Sequence, residues 1–439
     1  MPIKEYKSHI TRIQKEAIGL LSIGTFLEYF DLMLYVHMAA LLNELFFPKS
    51  DPYTQAIYSA IAFCSTFVFR PLGALIFGWI GDTVGRKTTI VITTFLMSLS
   101  CIVMAITPTY SEKGFIATTI ITICRIIQGM SSMGEIIGAK LYLTETIQRP
   151  HQYAALSLLN FLAALGGSFA LGMASFVMVN GLNWRYVFGI GAIVAITGTI
   201  ARTTLREVPE FSDPKRRIKS ILNKVNNNGS SVKKHFIWNE PVSIKTSIAL
   251  FCIECAWPVC FYIAFIYLGE ILKSDFHYSN EQVINNNFIV SIFEILGIIP
   301  LIFLGYFIHP ILILKIRLII FSISILILPF LLKNISSPNE ILYIQSFLMF
   351  FVLDNTPASS ILYSYFPIFK RFTYTSFIYA LSRALMYVIT SFSFIYITEY
   401  FGGPWGIIII STPILCAYAF GILHFQKLEI KAGCFKSNS

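Results

Sequence analysis

The chain has 439 residues, 55% of them hydrophobic and 15% aromatic, with only 13% charged. A soluble domain carries about 25% charged residues, so this composition excludes a soluble enzyme, and its long unbroken apolar runs exclude a β-barrel of short alternating strands. The net charge of +10 falls mostly in loops between those runs, where it reports topology rather than binding to nucleic acid.

Runs long enough to cross a bilayer need about 20 residues, and about twelve are present. In the first half they cover 17–45, 56–81, 88–107, 114–142, 153–180 and 184–204; in the second, 245–271, 283–307, 310–332, 340–366, 374–400 and 404–425. The expected organisation is therefore all-α: a tail over 1–16, six helices within 17–204, a basic linker over 205–244, six helices within 245–425 and a tail over 426–439. The polar leader does not read as a cleaved signal peptide, because the span after it is too long and carries acids. With both termini cytoplasmic, the inside segments collect most of the lysines and arginines, as the positive-inside rule requires.

In chain order, the first span places Glu28, Asp31 and Tyr35 on one helix face with Gly24. Ionisable groups at bilayer depth cost about 2.5–3.5 kcal/mol on insertion scales, so each needs a reason. Two acids this close suit proton or solute handling, or one of them hydrogen-bonds a neighbouring helix. The second span carries Arg70 before Pro71, where it could satisfy freed carbonyls, face a cavity or bind an anion. Next comes Gly78-Trp79-Ile80-Gly81-Asp82-Thr83-Val84-Gly85-Arg86-Lys87, a tight charged hairpin between spans two and three. In the fourth span Arg125, Gln128, Ser132 and Glu135 share a stripe. Arg125 could hold an acid of span one ionised, clamp a carboxylate, or form a permanent bridge to Glu28 or Asp31. Lys140 is expected to snorkel toward the cytoplasm or pair with Glu145.

The second half carries Glu254, Glu294, Asp354 and Arg383. A lone arginine at mid-span is intolerable, so Arg383 is expected to pair with Asp354 or Glu294. Trp257-Pro258, Tyr262 and Tyr267 suggest a kinked aromatic wall, either ordinary packing or a face for quaternary ammonium groups. Where the second half should repeat the 78–87 hairpin it reads Gly305-Tyr306-Phe307-Ile308-His309-Pro310, with His in place of the acid. Seven of the eight cysteines lie in apolar runs, where they act as small hydrophobes. No metal-ligand spacing and no phosphate-binding Gly-Lys-Ser/Thr loop is present, which disfavours ATP as an energy source.

The pattern Gly-x-x-x-Asp-x-x-Gly-Arg-Lys at 78–87 resembles the signature loop between helices two and three of the major facilitator superfamily. Arg70-Pro71-Leu72-Gly73, Arg125-Ile126-Ile127-Gln128-Gly129, Gly134-Glu135, Trp184-Arg185 and Leu205-Arg206-Glu207-Val208-Pro209-Glu210 narrow the resemblance to the metabolite:proton symporters, whose members carry proline and betaine, α-ketoglutarate, citrate or shikimate. It is dense in the first half and sparse in the second. It implies two pseudo-symmetric six-helix bundles around a central cavity, in the bacterial inner membrane. It also implies a proton-coupled importer of a small organic solute: no enzyme, no cofactor beyond protons, no nucleic-acid partner, and a monomer in the lipid bilayer. A facilitated uniporter and a non-transporting sensor of the same fold are the alternatives. Gly78, Asp82, Gly85, Arg86 and Lys87 are expected to act as a conformational latch, with Asp82 near Thr373 to Thr375 and the two bases near Glu145.

Overall fold

A computed structural model describes residues 10–48, 61, 64–83, 86–203, 241–367, 370–401 and 404–435. Helix occupies each of the twelve expected positions. The first six are α1 (Arg12–Phe46), α2 (Arg70–Thr83), α3 (Arg86–Ile106), α4 (Phe115–Thr146), α5 (His151–Val179) and α6 (Arg185–Thr203). The second six are α7 (Ile244–Ser274), α8 (Asn280–Phe307), α9 (Pro310–Lys333), α10 (Pro338–Phe350), α11 (Arg371–Phe401) and α12 (Gly406–Lys431). Among the described residues, eight helices are long and apolar enough to cross a membrane. The expected 205–244 linker lies outside the described residues up to 240.

The helices are inside-out relative to a soluble protein. Large apolar side chains such as Trp79 and Phe303 stand exposed, at 64% and 61%, while Arg125, Gln345 and Ser382 are buried. Lipid offers no hydrophobic drive for helix association, so close packing and polar contacts hold the bundle. Gly129 shows the close approach: a Cβ there would strike the Thr66 carbonyl, where α4 lies against the helix leading into α2. Capping fixes helix starts. Ser279 and Gln282 form a capping box at α8, and His309 Nδ1 accepts the Ile311 N–H at α9, with Pro310 at the first turn.

Three expected continuous elements are modified. The span expected at 340–366 is broken: α10 stops at Phe350, residues 351–358 are irregular, and a short helix, Ser359–Ser364, resumes. Pro357 disfavours helix at Thr356 before it, which is the physical reason for the break. Irregular backbone at this depth must be satisfied by protein. Tyr418 donates to the Asp354 carbonyl at 3.0 Å and Arg317 Nη2 to the Phe350 carbonyl at 2.7 Å. α7 is likewise interrupted, turning π-helical over Tyr262–Tyr267 just after Pro258. Finally, α12 continues to Lys431, past the expected end at 425.

The halves meet along two seams. α5 packs on α8, where Ser175 donates to Asn285 at 3.4 Å and a Cβ on Gly172 would meet the Phe288 ring at 2.8 Å. α2 packs on α11, where Gly78 faces Thr373. The segment before α2 adds a ring contact, Phe67 on Tyr387, with centroids 4.1 Å apart.

Candidate functional site

Between the seams lies a central cavity of about 60 Å³. One water needs about 10–15 Å³ by this measure, so the space suits a compact solute or a few waters. Both halves line it: Tyr29, Arg70, Lys140 and Asn160 from the first, and Trp257, Glu294, Asp354 and Arg383 from the second.

Arg70 is 3% exposed. Its guanidinium carbon lies 4.3 Å from the Phe67 ring centroid, and Nε and Nη2 have no hydrogen-bond partner among the described residues. Of the three readings the sequence left open for Arg70, facing a cavity is the one its position matches.

Arg383 does not pair with Asp354 or Glu294 as expected. Its Nη1 donates to Glu254 Oε2 at 2.7 Å and to the Glu254 carbonyl at 3.0 Å. Pro258, four residues on, has no N–H to offer that carbonyl. Asn355 Nδ2 at 2.6 Å and the Tyr363 hydroxyl at 3.2 Å donate to the other Glu254 oxygen. The Arg383 guanidinium also lies 3.7 Å from the Tyr379 ring centroid. Glu254 is thus a saturated structural acid. Asp354 bridges the halves: Oδ2 accepts Asn160 Nδ2 at 2.9 Å, and Oδ1 accepts the Asn355 N–H at 2.8 Å. Glu294 lines the cavity beside them.

The first-half stripe lies elsewhere. Glu28, Asp31, Arg125 and Gln128 are buried but do not line the cavity. Gln128 Nε2 donates to Cys101 Sγ on α3 at 3.2 Å, and Asp31 Oδ1 faces Gly191 of α6. Gln128 and Asp31 thus meet neighbours within the first bundle, and Glu28, Asp31 and Arg125 all have partners. The side chains of Tyr35 and Glu135 lie outside the described residues, as do Gly85 and the side chains of Asp82, Arg86 and Lys87. Lys140 neither snorkels nor pairs with Glu145; it faces the cavity, its Nζ 5.9 Å from the Tyr379 ring centroid. The aromatic wall is Trp257 stacked on Phe261, with Phe265 one turn on. Tyr262 and Tyr267 turn away to pack on Phe394.

At one end the halves are tied by ion pairs. Glu145 accepts Arg371 Nη1 at 3.3 Å, while the same guanidinium caps the Phe366 and Ser364 carbonyls. Glu429 of α12, 1% exposed, accepts two bonds from Arg149, at 2.9 and 3.3 Å, and one from Tyr365 at 2.8 Å; His309 Nε2 lies 3.5 Å away. Sequence reading missed this cluster because Glu429 falls in a presumed tail. An acid four residues past Phe425, in phase with the buried face of α12, was the available signal.

Comparison with known proteins places the arrangement. The chain is 30% identical over 278 residues to the proline/betaine transporter of Escherichia coli K12, covering 61% of this chain and 55% of that protein. It is 28% identical over 279 residues to a glycine betaine/proline/ectoine/pipecolic acid transporter of Dickeya dadantii, covering 61% and 54%. The chain thus spans little more than half the length of these relatives. A structure of the proton:xylose symporter XylE superposes with a TM-score of 0.73 over 96% of both chains at 14% identity, and the human organic anion transporter MFSD10 with 0.66 over 94% and 99% at 13%. The sequence model described as Major Facilitator Superfamily matches residues 21–391. With that match laid on a helical bundle whose two halves line one cavity, the chain belongs to the major facilitator superfamily.

Proposed function

We propose that this protein is a secondary transporter that moves a small organic solute bearing a carboxylate together with protons across a bacterial inner membrane. It would work as a monomer with both termini cytoplasmic. The observation that carries this reading is Arg70: a buried guanidinium in a cavity shared by both halves, with two N–H-bearing nitrogens unpartnered among the described residues. An arginine left so is costly unless an anion visits it. A carboxylate accepts such paired N–H groups with planar geometry. The names of the relatives, proline/betaine and ectoine transporters among them, support solutes of this kind. Alternating access follows if the loaded and empty cavities favour different arrangements of the two halves.

The test is uptake of labelled proline, glycine betaine and shikimate into vesicles with an imposed pH gradient. At least one should accumulate, a protonophore should abolish accumulation, and Arg70→Gln should raise KM. Loss of a charge-assisted bond is worth about 1.5–3 kcal/mol, roughly 10- to 150-fold. Uptake of all three at the rate of empty vesicles, or an unchanged KM in Arg70→Gln, would overturn the reading.

A further inference from the structure

We propose that Glu294 carries the coupled proton. This rests on the transport reading above and names its coupling site.

Glu294 differs from every other acid near the cavity. Asp354 is held by Asn160 and by the Asn355 N–H, and Glu254 by Arg383, Asn355 and Tyr363. Glu28 and Asp31 do not line the cavity. Glu294 does, and among the described residues its carboxyl makes no hydrogen bond or ion pair. It is the acid whose oxygens can exchange a proton with cavity solvent without first breaking a contact. An ionisable group placed so within a membrane protein marks an ion pathway.

The charged groups that face it are Asp354 and, from α9, Arg317. Arg317 is committed to the Phe350 carbonyl. From α5 come the neutral Asn160 and Ser168, and across the cavity stand Arg70, Lys140, Tyr379, Tyr387 and the already paired Arg383. Glu294 also lies one turn after Ser291, whose carbonyl accepts Ser168 from the other half at 3.5 Å. A change of charge here acts on the α5–α8 seam.

A buried carboxylate is costly in low dielectric, and protonation removes that cost while solute is bound. One proton adds to the Glu294 carboxylate from the outer solution, travels as the neutral acid beside the solute, and leaves to the cytoplasm.

The experiment uses the full chain in proteoliposomes with whichever labelled solute of the Proposed function panel the wild type accumulates. Wild type should accumulate it at least tenfold and lose accumulation with a protonophore. Glu294→Gln should let it only equilibrate, while counterflow exchange stays within about threefold of wild type; Glu294→Asp should recover accumulation. Protonophore-sensitive accumulation by Glu294→Gln would overturn the assignment. So would loss of counterflow in Glu294→Gln alongside its retention in Glu294→Asp, which would make Glu294 a solute counter-ion. If wild type accumulates no solute in the Proposed function panel, the transport reading itself fails, a result distinct from a failure confined to the Glu294 variants.

Discussion

Arg149→Gln tests whether the Glu429 cluster holds the molecule shut at one end. Arg149 belongs to the first half; Glu429, Tyr365 and His309 belong to the second, so only the Arg149 bonds within this cluster must break for the halves to part. Glu429 is 1% exposed but Arg149 is 35% exposed. A hydrogen bond to a charged group is worth about 1.5–3 kcal/mol, and solvent screening of the exposed guanidinium places the pair near the lower figure. A shift of about 1.5 kcal/mol is roughly tenfold in the open-to-closed ratio. The readout is labelling of Ser168→Cys, a cavity position, by a membrane-impermeant maleimide in inside-out vesicles, with the accessible thiols Cys252, Cys416 and Cys434 replaced by serine. Arg149→Gln should speed labelling about tenfold. Glu429→Gln should do the same, and the double variant should add little, because both remove one interaction. Labelling within twofold of the parent in both single variants, or fully additive effects, would refute the latch.

Two further outcomes test the packing. Arg383→Met leaves the Glu254 carboxylate buried without its cation and should cost about 3–5 kcal/mol of stability; adding Glu254→Gln should recover most of it in thermal unfolding in detergent, and an equal Tm loss in single and double variants would count against the pair. Gly129→Ala forces a Cβ onto the Thr66 carbonyl and should cost about 1–3 kcal/mol; an unchanged Tm would mean that α4 does not approach the helix leading into α2 so closely.

The legible part of the site was its chemistry, not its pairing. Arg70, Glu294, Asp354 and Arg383 were all readable as cavity candidates because a charge at bilayer depth demands a reason, and all four line the cavity. Their partners were not readable. Arg383 meets Glu254, 129 positions away in the chain, where α7 packs on α11. The acids of α1 looked strongest on periodicity, yet periodicity says only that residues share a face. Which neighbour that face meets is settled by packing, and Asp31 meets Gly191 of the first bundle.

Sequence by itself determined the membrane setting, the helix positions and the family, since apolar length, charge placement and the 78–87 signature are local properties of the chain. Tertiary structure alone decided the break at 351–358 as a satisfied element, the inward turn of Lys140, the Glu429 cluster and the isolation of Glu294. Each depends on groups that approach from distant segments. In a low-dielectric interior, the presence or absence of one such neighbour decides whether a charge is a strut or a working group.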